Sequence, residues 1–349
     1  MKDIRDYSLL AHNTFGIDAK CKRFLEYSSV EEAQQIVAGL TAADQPLLIL
    51  GGGSNLLLTG DYEGTVIHSA IKGIEVLDNE TLAAEGENLK NPDFVFLNCG
   101  SGEVFDDVVA YAVEHGYHGA ENLSIIPGEV GASAVQNIGA YGVEAKDIIY
   151  KVEAVEIATG KVVVFDNQDC QYSYRQSRFK HEWKDKYLVT HVIYRLSKHF
   201  VPDLDYGNIR TSLAAKGIEN PTAQQLRDVI IEIRNAKLPD PKVQGNAGSF
   251  FMNPIVEKAK YEELAAQYPG MPHYTIDAGH EKIPAGWMID QCGWKGKSLG
   301  RAGVHDKQAL VLVNRGGATG QEIVNLCETI RKDVKLKFGI DIHPEVNVK

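Results

Sequence analysis

The sequence predicts an α+β fold assembled from more than one domain. Three observations carry that expectation. Four stretches show helical periodicity with caps, several short apolar runs have the character of strands, and the two kinds do not alternate steadily as a doubly wound parallel sheet requires. A length of 349 residues suits two or three domains at roughly 150 residues each. The 44% hydrophobic and 24% charged residues are those of an ordinary globular chain.

Taken in order, "SSVEEAQQIVAGL" opens a helix with Ser29 and Glu32 in capping-box spacing and stops at Gly39. "PLLIL" reads as a buried strand. "EVFDDVVAYAVEHG" places Val104, Phe105, Val108, Val109 and Ala112 on one helical face and closes at Gly116. "KVEAVEIATGKVVVF" is a hairpin turned at Thr159-Gly160, followed by a strand in "KYLVTHVIYRL". "TAQQLRDVIIEIRNAK" has Thr222 and Gln225 as a box and Leu226, Val229, Ile230 and Ile233 as its buried stripe. Lys237 to Pro241, "KLPDP", is the linker candidate. "ALVLV" is a late strand, and "TGQEIVNLCETIRKDVKLKFG" is a last helix boxed by Thr319 and Glu322 and ended by Gly339.

Composition limits the function classes. No apolar run approaches the ~18 residues of a membrane helix, and the start lacks an apolar leader, so a cytoplasmic protein without membrane contact is expected. The formal charge of −11 argues against a nucleic-acid partner, which needs a basic face. Five scattered cysteines form no zinc or disulfide pattern, and the eleven histidines show no ligand spacing, so no metal is expected and His305 and His343 are read as structural.

Two glycine-rich segments stand out. "LLILGGGSNLLL" carries Gly51, Gly52, Gly53, Ser54, Asn55 and Leu56 between two apolar runs. Backbone without Cβ can approach a ligand, and successive N–H groups can form a nest for phosphate, although a plain tight turn is the competing reading. It matches neither the dinucleotide fingerprint nor the P-loop. "LSIIPGEVGASAVQNIGAYG" (123–142) mixes Gly128, Gly131, Gly139 and Gly142 with apolar residues and reads as a long loop whose amides face a flat ligand. A third segment, "GNAGSFFMNP", holds Ser249 on a thin backbone and follows it with Phe250 and Phe251 as anchors.

"GGGSN", "IPGEVGASAVQNIGAYG", "YSYRQSRFK", "KLPDPKVQGNAGSFFMNP", "GWMIDQCGWKG" and "HPEV" together resemble the UDP-N-acetylenolpyruvoylglucosamine reductase family. The resemblance runs nearly end to end, from "NTFG" to "HPEV", and "LDYGNI" around Tyr206 is similar to the tyrosine loop of the type I branch. It implies a flavin domain of the vanillyl-alcohol-oxidase (PCMH) type and three domains: 1–70 with 339–349, and 71–238, holding FAD, and 239–338 covering substrate. It implies NADPH as hydride donor and a UDP-sugar enolpyruvyl ether as partner, in a monomer. Hydride passes from flavin N5 to the vinyl CH2, and a proton is added at the carbon bearing the carboxylate.

In that chemistry the resemblance makes Ser249 the proton donor, Arg175 the electrophile that steadies the growing anion, and Glu345 a residue opposite it that polarises or orients the enolate. Without the resemblance Glu345 reads as a solvated tail residue. Cofactor contacts are implied at Gly51 to Leu56 and at Ser124, Pro127, Gly128, Gly131, Ala132, Gln136, Asn137, Gly139, Ala140, Tyr141 and Gly142. Substrate contacts are implied at Tyr206, Arg234, Lys237, Asn253, Tyr274, Lys295 and Gln308. Lys237 and Arg234 have an equally ordinary reading as cations near a helix C-terminus. Met252 stands where many relatives carry lysine and is read as packing. Two alternatives stay open at this stage: a flavin oxidase of the same cofactor class, and a non-catalytic nucleotide-sugar-binding protein.

Overall fold

A computed structural model describes residues 1–77 and 93–349. The chain forms two compact units. The first comprises Met1–Tyr7, Cys21–Gly52 and Glu63–Ala236, and the second Ser8–Lys20, Gly53–Tyr62 and Lys237–Lys349. Both mix helices with mainly antiparallel sheets, so the α+β expectation is met.

In the first unit, a five-stranded sheet runs in the order Val162–Asp166, Ile149–Glu156, Tyr187–Ser197, Phe94–Gly100, Ile74–Leu77, every neighbour antiparallel. The hairpin pairs Val155 with Val162, and Gly160 takes the positive φ of +70° that its turn requires. The helix Phe105–Glu114 lays Phe105, Val108, Val109 and Ala112 on this sheet, against Leu97, Val152, Val192 and Tyr194. Val104, expected on that face, is instead the N-cap and exposed, because the residue before a helix has extended backbone and points away from the stripe.

A second sheet of the same unit orders Lys2–Ser8, Lys20–Tyr27, Tyr62–Ser69 and Leu47–Leu50, the last two parallel. Helix Val30–Gly39 packs Ala33, Ile36 and Val37 with Leu25, Leu47 and Ile67. Its cap is half the expected box. Ser29 Oγ accepts from the Glu32 amide, but Glu32 reaches back to the Ser28 amide rather than to that of Ser29. Helix Ala223–Lys237 carries the complete Thr222/Gln225 box and buries Leu226, Val229, Ile230 and Ile233 with Leu204, Ile209 and Leu213.

The second unit is built round helix Gly320–Phe338, with its Thr319/Glu322 box and Gly339 at φ +71°. It buries Ile323, Leu326, Ile330, Val334 and Phe338 beside a three-stranded sheet, Ser298–Leu299, Ala302–Val304 and Leu312–Asn314. The strand read from "ALVLV" is shorter than expected. Val311 donates to Gln308 O and accepts from the His305 amide, so its backbone closes a turn instead of joining the ladder. The C-terminal tail is ordered: Asn347–Val348 pairs in parallel with Leu56–Leu57, and the Thr59 amide donates to Lys349 O at 2.7 Å.

The 123–142 segment is not a continuous loop. Val130–Gln136 forms a helix with Val130 and Ala134 buried, ended by Asn137 in the left-handed conformation at φ +46°. Its glycines and the absence of a capping side chain on Glu129 hide the start of the helix in the sequence. Among the described residues no helix is long and apolar enough to cross a membrane. Cys21, Cys99, Cys170 and Cys327 are buried free thiols, and burial pushes Cys21 up to about 11 and Cys327 up to about 12.

Candidate active site

In the first unit the two glycine segments meet backbone to backbone. A Cβ on Gly51 would stand 3.1 Å from Ala132 Cβ, and one on Gly52 would stand 3.5 Å from Gly128 Cα. Gly131 donates to Ser101 O at 2.8 Å, and a Cβ there would press to 2.9 Å from Ser101 Cβ. Gly128 takes φ +130°, a conformation essentially reserved to glycine. Glycines without Cβ thus let the two loops approach closely, with the Glu129 side chain beside them, which suits a cofactor recognised through backbone amides.

Not every side chain expected here is aimed at a ligand. Ser124 is fully buried and donates to Glu121 O at 2.6 Å. Asn137, also buried, donates to Glu144 Oε2 and Ser173 O and accepts from the Lys146 amide. Both hold the protein together, and a contact from either residue to a cofactor would fall to its backbone. Gly139 and Ala140 lie in a two-stranded hairpin with Val143–Glu144. Pro127 is exposed, while Ala132 and Gln136 are half-buried.

The hairpin leads to a basic cluster. Arg175 sits at a turn closed by reciprocal Ser173–Gln176 backbone bonds, with its own backbone at φ +58°. A non-glycine residue held in that region stores strain that surrounding contacts must maintain. Here Arg175 Nη2 donates to Gly139 O at 2.8 Å, and Lys180 Nζ donates to Arg175 O at 2.9 Å. Arg234, half-buried on helix Ala223–Lys237, has its Nε buried with no hydrogen-bond partner among the described residues. Burial lowers its pKa from the ordinary 12.5, the charge of Arg175 adds to that lowering, and Tyr141 opposes it. Two guanidinium groups that feel each other at partial burial suit a place for an anion, which guanidinium donors hold through charge-assisted hydrogen bonds. Tyr141 and Tyr206 meet edge to face at 6.4 Å over Gly142, whose φ is +88°. Tyr206 itself is exposed.

In the second unit the backbone brings Glu345 to Phe250, the residue after Ser249. The Phe250 amide donates to Leu310 O, the Glu345 amide to Phe250 O, and the Met252 amide to His343 O. Phe250 and Phe251 are each 1% exposed, 5.2 Å apart between ring centres, with Phe15 edge-on to Phe250 at 6.1 Å. They are the anchors the sequence suggested. Phe250→Ala is expected to destabilise the chain by about 3–5 kcal/mol, read in a denaturant titration. On the other side, Gly245 lies so close to Phe15 that a Cβ would stand 2.1 Å from its carbonyl oxygen. Ser249 is half-buried between these two fixed points.

Asn253 Oδ1 accepts from the Ala285 amide at 2.9 Å and so caps helix Ala285–Gln291. Gln308 Oε1 accepts from the Leu310 amide. Lys295 is exposed, 3.7 Å from Asp290, and Lys237 and Tyr274 are also exposed. Gly53 takes φ +65° against His12 O, where a Cβ would stand 2.0 Å away. Asn55 Nδ2 donates to Glu345 O at 3.4 Å, and Asn55 O accepts from Asn347. Ser54 is half-buried and Leu56 buried.

Sequence reasoning missed Asn246. This buried residue bonds Pro239 O and Gln244 O and receives the Gly248 amide, while Thr14 Oγ1 donates to Asn246 O at 2.6 Å. It shapes the turn before Ser249, and its position between two glycines was the available signal. Also missed was a row of Glu26, His68 and Glu129, for which the sequence carried none.

Comparison with known proteins decides the family. Over 341 residues the chain is 56% identical to the UDP-N-acetylenolpyruvoylglucosamine reductase of Bacteroides fragilis, covering 98% of each. The chain belongs to the UDP-N-acetylenolpyruvoylglucosamine reductase family. The reductase of Flavobacterium johnsoniae is 44% identical over 345 residues, again 98% of each. The model for the C-terminal domain of UDP-N-acetylenolpyruvoylglucosamine reductase matches residues 240–349, and that for an FAD binding domain matches 22–166. Among solved structures, the reductase of Thermus caldophilus shares the fold at TM-score 0.65 and 20% identity, covering 99% of this chain and 98% of that one. As a member of the UDP-N-acetylenolpyruvoylglucosamine reductase family with an FAD-binding domain, the chain is an FAD-dependent oxidoreductase. The closely approaching glycines Gly51, Gly52, Gly128 and Gly131 fit that cofactor.

Proposed function

We propose that the chain reduces the enolpyruvyl ether of UDP-N-acetylglucosamine to UDP-N-acetylmuramate, a peptidoglycan precursor, with NADPH as reductant, as a cytoplasmic monomer. The observation that carries the reading is the partly buried pair of cations Arg175 and Arg234, with Arg234 Nε buried and lacking a hydrogen-bond partner among the described residues. Such a site suits a substrate with a carboxylate and a diphosphate. FAD, held by 1–70 with 339–349 and by 71–238, supplies the hydride for the vinyl CH2.

The remaining chemistry belongs to side chains. Addition of hydride leaves an electron pair on the carbon bearing the carboxylate, spread as an enolate onto its oxygens. Arg175 holds those oxygens as charge develops there, an electrostatic term realised in the transition state. Ser249 hands its hydroxyl proton to the carbon, and the double bond becomes CH–CH3. A serine hydroxyl is a very weak acid, so this transfer depends on placement within ~3 Å of a strongly basic carbon rather than on a tuned pKa. The pinned backbone either side of Ser249 supports that placement. Glu345 orients the enolate, and Arg234, Lys237, Tyr206, Asn253, Tyr274, Lys295 and Gln308, with the 239–338 region, hold the nucleotide sugar.

The test separates the half-reactions. Glu345→Gln is expected to slow reoxidation of the reduced flavin by the ether at least about 10²-fold while NADPH bleaches the flavin at the unmodified rate. Anaerobic rapid mixing reads both steps, and equal loss of the two would contradict the role.

A further inference from the structure

His68 is 8% exposed and lies between two carboxylates. Its Nδ1 is 3.0 Å from Glu26 Oε2, and its Nε2 is 3.2 Å from Glu129 Oε1. A neutral imidazole has one N–H and one lone pair, so it can donate to only one of the two and must turn its lone pair towards the other. Only the imidazolium satisfies both. Glu26 is held in turn by Lys2 Nζ at 2.6 Å, which completes a row Lys2–Glu26–His68–Glu129 within the first unit. Tyr27, fully buried, also feels Glu129, and burial raises its pKa so that it stays neutral.

Glu129 ties this row to the glycine segments. It is the residue before helix Val130–Gln136, and its carbonyl accepts the first helical bond, from the Ser133 amide. Its side chain covers the other glycine loop: a Cβ on Gly51 would stand 3.4 Å from Glu129 Oε2, and one on Gly52 would stand 3.7 Å from Glu129 Cγ. Glu26, His68 and Glu129 fall within 22–166, the span matched by the FAD binding domain. We infer that ionised His68 is a positioning residue for the cofactor: by gripping Glu129 it sets the Gly128–Gly131 backbone over Gly51–Gly52, so flavin retention weakens as His68 loses its proton. The inference rests on the reading of those glycine segments as flavin-binding.

The sign follows from the surroundings. Burial works against a charged ring, yet the hydrogen bond and charge of Glu129, then those of Glu26, outweigh it and raise His68 above its ordinary 6.5. The stabilisation is therefore fully present below the ordinary histidine value and is lost as pH rises through the raised one.

The experiment measures FAD dissociation from the holoenzyme by the return of flavin fluorescence, from about pH 6 to about pH 9. In the unmodified protein affinity should fall about tenfold across that range. His68→Gln and Glu129→Gln should be weak binders at the low end already and show no slope. A flat profile in the unmodified protein, or an unchanged slope in His68→Gln, would overturn the inference. Gly128→Ala, strained at φ +130°, separates the two layers. If it weakens FAD while the pH profile of the unmodified protein is flat, only the role of His68 fails. If it binds FAD normally, the flavin-binding reading of the segment fails as well.

Discussion

Ser249→Ala is expected to slow reduction of the enolpyruvyl ether by about 10²- to 10⁴-fold and to leave bleaching of the flavin by NADPH unchanged. The substitution removes one hydroxyl and little else. The loop is fixed on one side by Gly245 against Phe15 and by the Asn246 bonds, and on the other by Phe250, whose amide donates to Leu310 O and whose carbonyl accepts from Glu345. A methyl group therefore stands where the hydroxyl stood, and FAD affinity and unfolding temperature should stay at their unmodified values. Anaerobic rapid mixing gives the two rates, and thermal unfolding in parallel separates a lost proton donor from a damaged fold.

Arg175→Lys is expected to lower kcat for the ether by about 10²- to 10³-fold although the charge is kept. The guanidinium has enough donors to bond Gly139 O and still present a planar pair to a carboxylate. An ammonium is a point donor on a flexible stem, and it would have to give up one task for the other. The left-handed backbone at φ +58° adds to the demand, because the turn is held partly by that Gly139 bond. Steady-state kinetics at saturating NADPH check the effect. A change confined to KM would mean that Arg175 binds the ground state and transition state alike.

The parts of the fold set by local chemistry were legible in the sequence. Thr222/Gln225 and Thr319/Glu322 form the boxes their spacing implies, and the stripe Leu226, Val229, Ile230, Ile233 is buried as read. Where a residue outside the motif competes, the reading slips. The Ser28 amide takes the Glu32 carboxylate that the box would give to Ser29. The helix at Val130–Gln136 was hidden because its start has no side-chain cap and its glycines serve close packing on Ser101 instead of a turn. Long-range pairing left no local trace at all. The ladder that sets Glu345 beside Phe250 joins stretches far apart in the chain, which is why Glu345 read from residues alone as a loose tail. The same is true of His68, whose two carboxylates come from a strand and from the residue before the Val130–Gln136 helix.

The central claim is that one bound flavin takes electrons from NADPH and passes them to a vinyl ether. An anaerobic two-step titration of the unmodified protein tests it most directly. Stoichiometric NADPH should bleach the yellow colour, and the enolpyruvyl ether of UDP-N-acetylglucosamine, added next, should restore it with one equivalent of UDP-N-acetylmuramate formed. Bleaching that only oxygen reverses, with the ether left intact, would contradict the account.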